Sequence, residues 1–333
     1  MSEGCGASER VDIVYLWVDG ADPVWQQRRA QAYAAWACQH PDALAAFGNV
    51  AGRYRDNGEL RFSLRALERF FPEHGHVYIV TDGQTPPWLR PSERVSVIDH
   101  SRLLPAGAMP VFDSGHIESY LHHIPGLSER FLYLNDDVFL GAPVDPDWWF
   151  GARLKVFAES AFTPLYEQLQ VDATALVNAS VQSHLWLRQH YPGYRHDPRV
   201  YAHAPRPMLK SAAYALERMA PELFAQLRST VFRSWRAPAI VPDLLPRWMV
   251  HTGRAEQVVL ESLHISTGDP DAALQFDALR RQFGTLPFFC INDTCDEAPD
   301  DDPRLLRITQ TLEDLLPQPS SFEWETVHSS ALH

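Results

Sequence analysis

What this sequence has little of narrows its class before any motif is considered. Its 333 residues contain four cysteines, Cys5, Cys38, Cys290 and Cys295, too few and too scattered for a disulfide framework. Cys290 and Cys295 lack the second pair of a cysteine zinc site, so free thiols are the simpler expectation. No apolar run approaches the ~18 residues of a membrane span. The start, MSEGCGASER, has neither the basic opening nor the apolar core of a secretory signal. These absences predict a reducing, cytoplasmic location and no transmembrane segment, with only peripheral contact at a membrane left open. No Lys/Arg-rich stretch offsets a formal net charge of −13. Nucleic acid and an anionic membrane surface are therefore disfavoured as main partners. A phosphate-bearing ligand has to meet a local cluster of arginines.

The familiar nucleotide and hydrolase loops are missing too. There is no GxGxxG fingerprint, no Walker loop and no GxSxG elbow, which argues against ordinary nicotinamide, P-loop and α/β-hydrolase chemistry. No repeat at solenoid period stands out.

What is present is a set of apolar runs that end in acids. FLYLNDDVFLG (131–141) stops at Asn135, Asp136 and Asp137, VDIVYLWVDG ends at Asp19-Gly20, and HVYIVTDG ends at Asp82-Gly83. Runs of this kind read as strands buried on both faces, and in open α/β sheets ligands bind at their carboxyl edge. Adjacent carboxylates are costly unless a cation lies between them, so Asp136 and Asp137 are candidates for a divalent cation or a sugar diphosphate, with Asp19 and Asp82 behind them.

Helical signals alternate with the strands. Asp22-Pro23 predicts an N-cap and first helical residue, opening a helix to about Cys38. Leu60, Leu64, Leu67 and Phe71 repeat at helical spacing, and Asp56 with Glu59 has the spacing of a capping box. Arg53, Arg55 and Arg61 surround that helix start, a plausible place for a diphosphate. A helix over 114–124 would carry His116, His122 and His123, without the i, i+4 pair of a metal site. Val177, Val181 and Leu185 mark a further helix, and Pro207 predicts the start of another just after His203 and Arg206. Arg233 and Arg236 read most simply as surface arginines. Asp302-Pro303 opens a last helix. The layout predicts an α/β class with a mainly parallel sheet and flanking helices over 11–150, a helical subdomain over 151–255, and a return to the core over 256–323. Together 11–323 form a single catalytic domain between flexible tails at 1–10 and 324–333.

Long blocks in one order then carry a resemblance. DIVYLWVDGADPVW, RYRDNGELRFSLRALERFFPEHGHVYIVTDGQTPPWL, FDSGHIESYLHHIPGLSERF running into LYLNDDVFLG, HAPRPM, VFRSWR and FFCIND resemble the Stealth family of sugar-phosphate transferases. That resemblance implies a Rossmann-like or GT-A-like sheet. It also implies transfer of hexose-1-phosphate from a UDP-sugar donor to a glycan or glycolipid acceptor, release of UMP, and Mg²⁺ or Mn²⁺ as cofactor. The family's functional positions fall on Asp56, His203 and Arg236, with Asp56 and His203 the candidates for general base. Arg236, Arg55 and Arg206 are expected on the phosphates, and Asn57 joins the substrate-binding set. The chain departs from the family pattern after Arg236, where Ala237-Pro238-Ala239-Ile240 stand in place of acids. Two other classes share many of these features: a metal-dependent glycosyltransferase releasing UDP, and a non-catalytic protein that binds sugar nucleotides or glycans.

Overall fold

The computed structural model describes residues 10–45, 48–296, 298–299 and 301–324. Apart from Arg10 and Trp324, the expected tails lie outside these residues, as does Cys5. The apolar runs form the strands β1 (Asp12–Leu16), β2 (Val77–Thr81), β3 (Val95–Asp99) and β4 (Arg130–Asn135). They pair in parallel in the order β3-β2-β1-β4. Ile13 sits between Val77 on one side and Leu132 on the other. Being central and covered on both faces, β1 buries Ile13, Val14 and Tyr15 completely, which is why its sequence does not alternate.

Further strands complete three sheets. After β5 (Val138–Leu140) and β6 (Leu154–Ala158) comes β7 (Arg206–Leu209), which runs antiparallel to β4 and closes the main sheet with Met208 opposite Phe131. Of the last three strands, β8 (Ala255–Val259) pairs with β6. The others, β9 (Leu263–Ser266) and β10 (Phe288–Asn292), join β5 in the order β5-β10-β9. The stretch expected to be a helical subdomain thus contains β6 and β7 as well as helices. Pro207 lies inside β7, and the next helix, Lys210–Met219, starts three residues later than expected. β7 ends the order of the main sheet, and an edge strand tolerates a residue without an N–H.

The helices follow their caps. α1 (Pro23–Gln39) begins where the Asp22 carboxylate accepts a hydrogen bond from Trp25 N at 2.7 Å. α2 (Glu59–Phe70) buries Leu60, Leu64 and Leu67 against β5. Its N-cap, however, is Gly58 in the left-handed region at φ 87° rather than Asp56. Asp56 closes the preceding turn by accepting from Gly58 N at 2.8 Å, and its second oxygen is left for a tertiary contact. The helix expected over 114–124 breaks into Ser114–Glu118 and a 3-10 turn at Leu121–His123. At the break the Ser119 hydroxyl donates to the His116 carbonyl and competes with the backbone ladder. The last helix, Pro303–Leu315, starts from Asp302 as expected and packs on α2. Among the described residues, no helix is long and apolar enough to cross a membrane.

Glu323 fastens the C-terminal segment to α2. It is buried, accepts from Arg61 Nε, and receives Arg65 Nε and Nη2 at 2.7 Å each. Burial alone would raise its carboxyl, but hydrogen bonds from Arg65, Ser320 N and Arg61 outweigh that and hold it down at about 2. A depressed folded value means a stabilisation that is full above the unfolded value of about 4.3 and lost as pH falls through the folded one. Glu323→Gln is expected to cost about 3 kcal/mol near neutral pH, because two guanidinium groups lose a buried partner. Denaturant unfolding at several pH values checks this: the gap to wild type should narrow as pH falls toward about 2. A gap that stays constant with pH would assign the effect to packing.

Candidate active site

In the main sheet β1, β2 and β4 lead into polar residues at the carboxyl edge, at Asp19, Asp82 and Asn135–Asp137, and β10 of the three-stranded sheet leads into Asp293. A cavity of about 660 Å³ opens there. Its acidic side is made by Asp136 and Asp137, from the turn after β4, and by Glu59 from the first turn of α2. The packing that builds the edge forces these groups together. Burial, and then the charges of Asp137, Glu59 and Asp56, push the Asp136 carboxyl well above the usual range. Burial and the Asp56 charge push Glu59 up to about 8. Asp137 Oδ1 is buried and has no hydrogen-bond partner. Crowded carboxylate oxygens with a free, inward-facing acceptor fit the donor preference of Mg²⁺ or Mn²⁺, which would offset the repulsion.

Arginines supply opposite charge to the same cavity. Arg53, Arg206 and Arg233 line it. The charge of Arg233, then burial, lowers the Arg53 guanidinium to about 10, so two like charges are held close in the ligand-free protein. Arg233 is steadied by Ser114 Oγ at 2.8 Å and Asp113 at 3.9 Å. Burial also lowers Arg206, opposed by the charge of Glu118. Guanidinium groups kept close in this way suit an anion with several oxygens.

His203 lies within reach of both sets. Asn135 Nδ2 donates to its Nε2 at 2.7 Å, and Nε2 is 3.5 Å from Asp137 Oδ1. Asn135 Oδ1 is itself 2.6 Å from the Tyr133 hydroxyl, which is 3.0 Å from Glu118. On the other side of the ring, Nδ1 is 3.6 Å from the Cys290 thiol. Burial lowers the imidazole below its ordinary value, against the pull of Asp137 and with the charges of His264, Arg206 and Arg233 adding to the lowering. The ring is therefore neutral near pH 7 and able to accept a proton.

The residues singled out from the sequence divide into groups. Arg55, Asp82, Asp136, Asp137, His203 and Arg206 line the large cavity. Asp19, Asp56 and Asn57 line a neighbouring cavity of about 280 Å³ instead. Trp17 borders both cavities and donates from Nε1 to Asp56 Oδ2 at 3.1 Å. Asn57 Nδ2 donates to Glu59 at 2.8 Å. Arg236 borders neither cavity; it is exposed and stacks over Trp235, because the turn closed by Ser234 and Ala237 directs Arg233 inward. Two arginines and one carboxylate are less free than their positions suggested. Arg55 pairs with Asp293 at 2.5 Å, Arg61 is committed to Glu323, and Asp82 already holds Arg28 at 2.5 Å. His116, His122 and His123 do not line the cavity: His116 bonds the Thr230 carbonyl, and the other two share Glu217.

Arg233, Glu59, His264 and Cys290 carry weight that their local sequence did not reveal. Arg233 and Glu59 read locally as a surface charge and a capping residue, and His264 is a single imidazole in a short strand. The run FFCIND did place Cys290 beside an acidic strand end. Ala237, Pro238 and Ala239 line the cavity.

Comparison with known proteins now places the chain. The profile of Stealth protein conserved region 1 matches residues 9–33, and that of conserved region 2 matches residues 53–157. A capsular polysaccharide phosphotransferase of Actinobacillus suis is 30% identical over 293 residues, which are 85% of this chain and 76% of that protein. This chain belongs to the Stealth family. A second Stealth relative, the exopolysaccharide phosphotransferase SCO6023 of Streptomyces coelicolor, is 35% identical over 94% of this chain but only 52% of its own length. A third, SCO2592 of the same organism, is 34% identical and covered over 30% of its length. The chain thus spans about half of the first of these longer relatives and under a third of the second. Among solved structures, a complex of the galactosyltransferase LgtC with donor and acceptor sugar analogues overlaps at a TM-score of 0.42 and 12% identity, over 93% of this chain and 98% of that one. That likeness is too distant to bear on chemistry.

If the Stealth acid cluster is held together against its own repulsion, neutralising one member should stabilise the metal-free protein. Asp136→Asn is expected to raise the melting temperature in the presence of a chelator by about 2 °C or more. Added Mg²⁺ should raise the melting temperature of wild type more than that of the variant. A lower melting temperature for the variant in chelator would show that Asp136 is not under net repulsion.

Proposed function

We propose that this protein transfers hexose-1-phosphate from a UDP-sugar to a hydroxyl of a glycan or glycolipid acceptor and releases UMP, in the synthesis of a capsule, exopolysaccharide or cell-surface glycan. The observation that carries this reading is one cavity in which half-buried arginines, a carboxylate cluster and a neutral histidine are brought together. An uncharged sugar alone would not call for three guanidinium groups lining one cavity, whereas a diphosphate does.

In this reading Arg53, Arg206 and Arg233 bind the donor's phosphate oxygens and hold the charge that spreads over them as the acceptor attacks. Asp136 and Asp137 would hold the divalent cation, which when bound supplies neutralisation of the diphosphate. The acceptor oxygen attacks the phosphorus next to the sugar, a new P–O bond forms, and the P–O bond to UMP breaks. His203 Nε2 takes the hydroxyl proton once the Asn135 amide that donates to it has turned aside, and Asp137 favours the resulting imidazolium. Asp56, on the far side of Trp17, adds negative charge to the cluster and keeps that indole in place. Arg236 is given no direct role at the phosphates, since it borders neither cavity.

Incubation with a panel of UDP-sugars, Mg²⁺ and a mixed glycan pool, with UMP and UDP resolved by chromatography, tests the proposal. UMP is expected. UDP would instead make the protein a glycosyltransferase, and tight donor binding with neither product would favour a non-catalytic role. His203→Ala is expected to lower turnover about a hundredfold or more. Asp56→Asn keeps an oxygen for Gly58 N but removes the charge and turns an amide N–H toward Trp17 Nε1, so turnover should fall strongly with only a small fall in melting temperature. Near-normal turnover in either variant would remove that residue from the mechanism.

A further inference from the structure

The three-stranded sheet aligns a second set of donors beside the carboxylates. In its register Cys290 on β10 stands between Val138 of β5 and His264 of β9. Paired residues of neighbouring strands face the same way, so the thiol and imidazole share a face. Asp137 immediately precedes Val138, and His203 reaches the same place from the loop before β7. The ligand atoms of His203, His264 and Cys290 all lie within 4.8 Å of one another. Cys290 Sγ is 3.6 Å from His203 Nδ1 and 3.5 Å from Asp137 Oδ2. A tetrahedral ion with metal–sulfur and metal–nitrogen bonds of about 2.3 and 2.0 Å spaces its donors by about 3.5 Å, so Cys290 is already at ligand spacing from His203 and Asp137, and His264 lies within 4.8 Å of Cys290 and His203.

We propose that His203, His264 and Cys290, with Asp137 as fourth donor, form a binding site for a zinc-class divalent cation, beside the oxygen-rich cluster suited to Mg²⁺. Thiolate and imidazole are the donors that such an ion prefers and that Mg²⁺ does not. Binding releases the Cys290 proton. The proton on His203 Nδ1 goes to Nε2, where Asp137 Oδ1 lies 3.5 Å away and the Asn135 amide can turn its oxygen to accept it. His264 is exposed and gives the ion a way in, while Cys290 is fully buried. The site stands on geometry alone. Its consequence, inhibition by occupying the proton-accepting His203, rests on the function proposed above.

Cobalt(II) is the probe, titrated into protein carrying Cys5→Ser and Cys38→Ser so that distant thiols do not contribute. The expected spectrum has the intense visible bands of a four-coordinate ion and a near-ultraviolet thiolate-to-cobalt band, at one ion per chain, with Zn²⁺ displacing the ion and Mg²⁺ failing to. Cys290→Ala should abolish the near-ultraviolet band. His264→Ala, an exposed position that should tolerate the change, should weaken binding by about tenfold or more, since even outer-sphere partners contribute that much. A weak six-coordinate spectrum, or a thiolate band that survives Cys290→Ala, would overturn the proposal. The readout is spectroscopic, so loss of the site and loss of the phosphotransferase reading are told apart.

Discussion

The structure depends on the convergence of carboxylates, half-buried or buried, at one edge of a parallel sheet. Parallel strands bring their C-terminal ends to the same side, and here Asp136 and Asp137 arrive at an edge that Glu59 and Asp56 also approach from α2 and its preceding turn. Burial, and then repulsion among them, pushes Glu59 up to about 8 and Asp136 well above its usual range. Such an arrangement persists only because the surrounding fold is over-determined, with β1 buried on both faces and α2 held by the Glu323 pairs. The arginines show the same tension with the opposite sign, in the closeness of Arg53 and Arg233. A ligand carrying both phosphate and a divalent cation would relieve both.

Much of the scaffold was legible because its signals are local and strong. Uninterrupted apolar runs gave β1, β2 and β4, and Asp22-Pro23 and Asp302-Pro303 placed two helix starts to the residue. The misreadings have physical causes. Asp56 and Glu59 have capping-box spacing, but Gly58 takes the left-handed cap and frees an Asp56 oxygen for Trp17. Pro207 resembles a helix opener and instead sits on an edge strand, where its missing N–H costs little. The segment after residue 150 was expected to be helical because β6 and β7 are short and their partners lie far away in sequence.

The site was legible by residue type more than by neighbourhood. Asp136, Asp137, His203 and Arg206 do share a cavity, yet the division of Asp56 from them by Trp17 depends on a tertiary contact. In VFRSWR the two arginines are equivalent as sequence; only the turn around Ser234 decides that Arg233 faces inward and Arg236 outward. His264 had no signal at all, because its partnership with Cys290 arises from strand register across the β9–β10 pair.

The central claim is that phosphorus moves with the sugar. It is tested most directly with a UDP-sugar radiolabelled at the phosphate adjoining the sugar, incubated with acceptor glycan and Mg²⁺. Label appearing in the glycan, together with unlabelled UMP, is the predicted result. Label retained in UDP while unlabelled sugar enters the glycan would contradict the account.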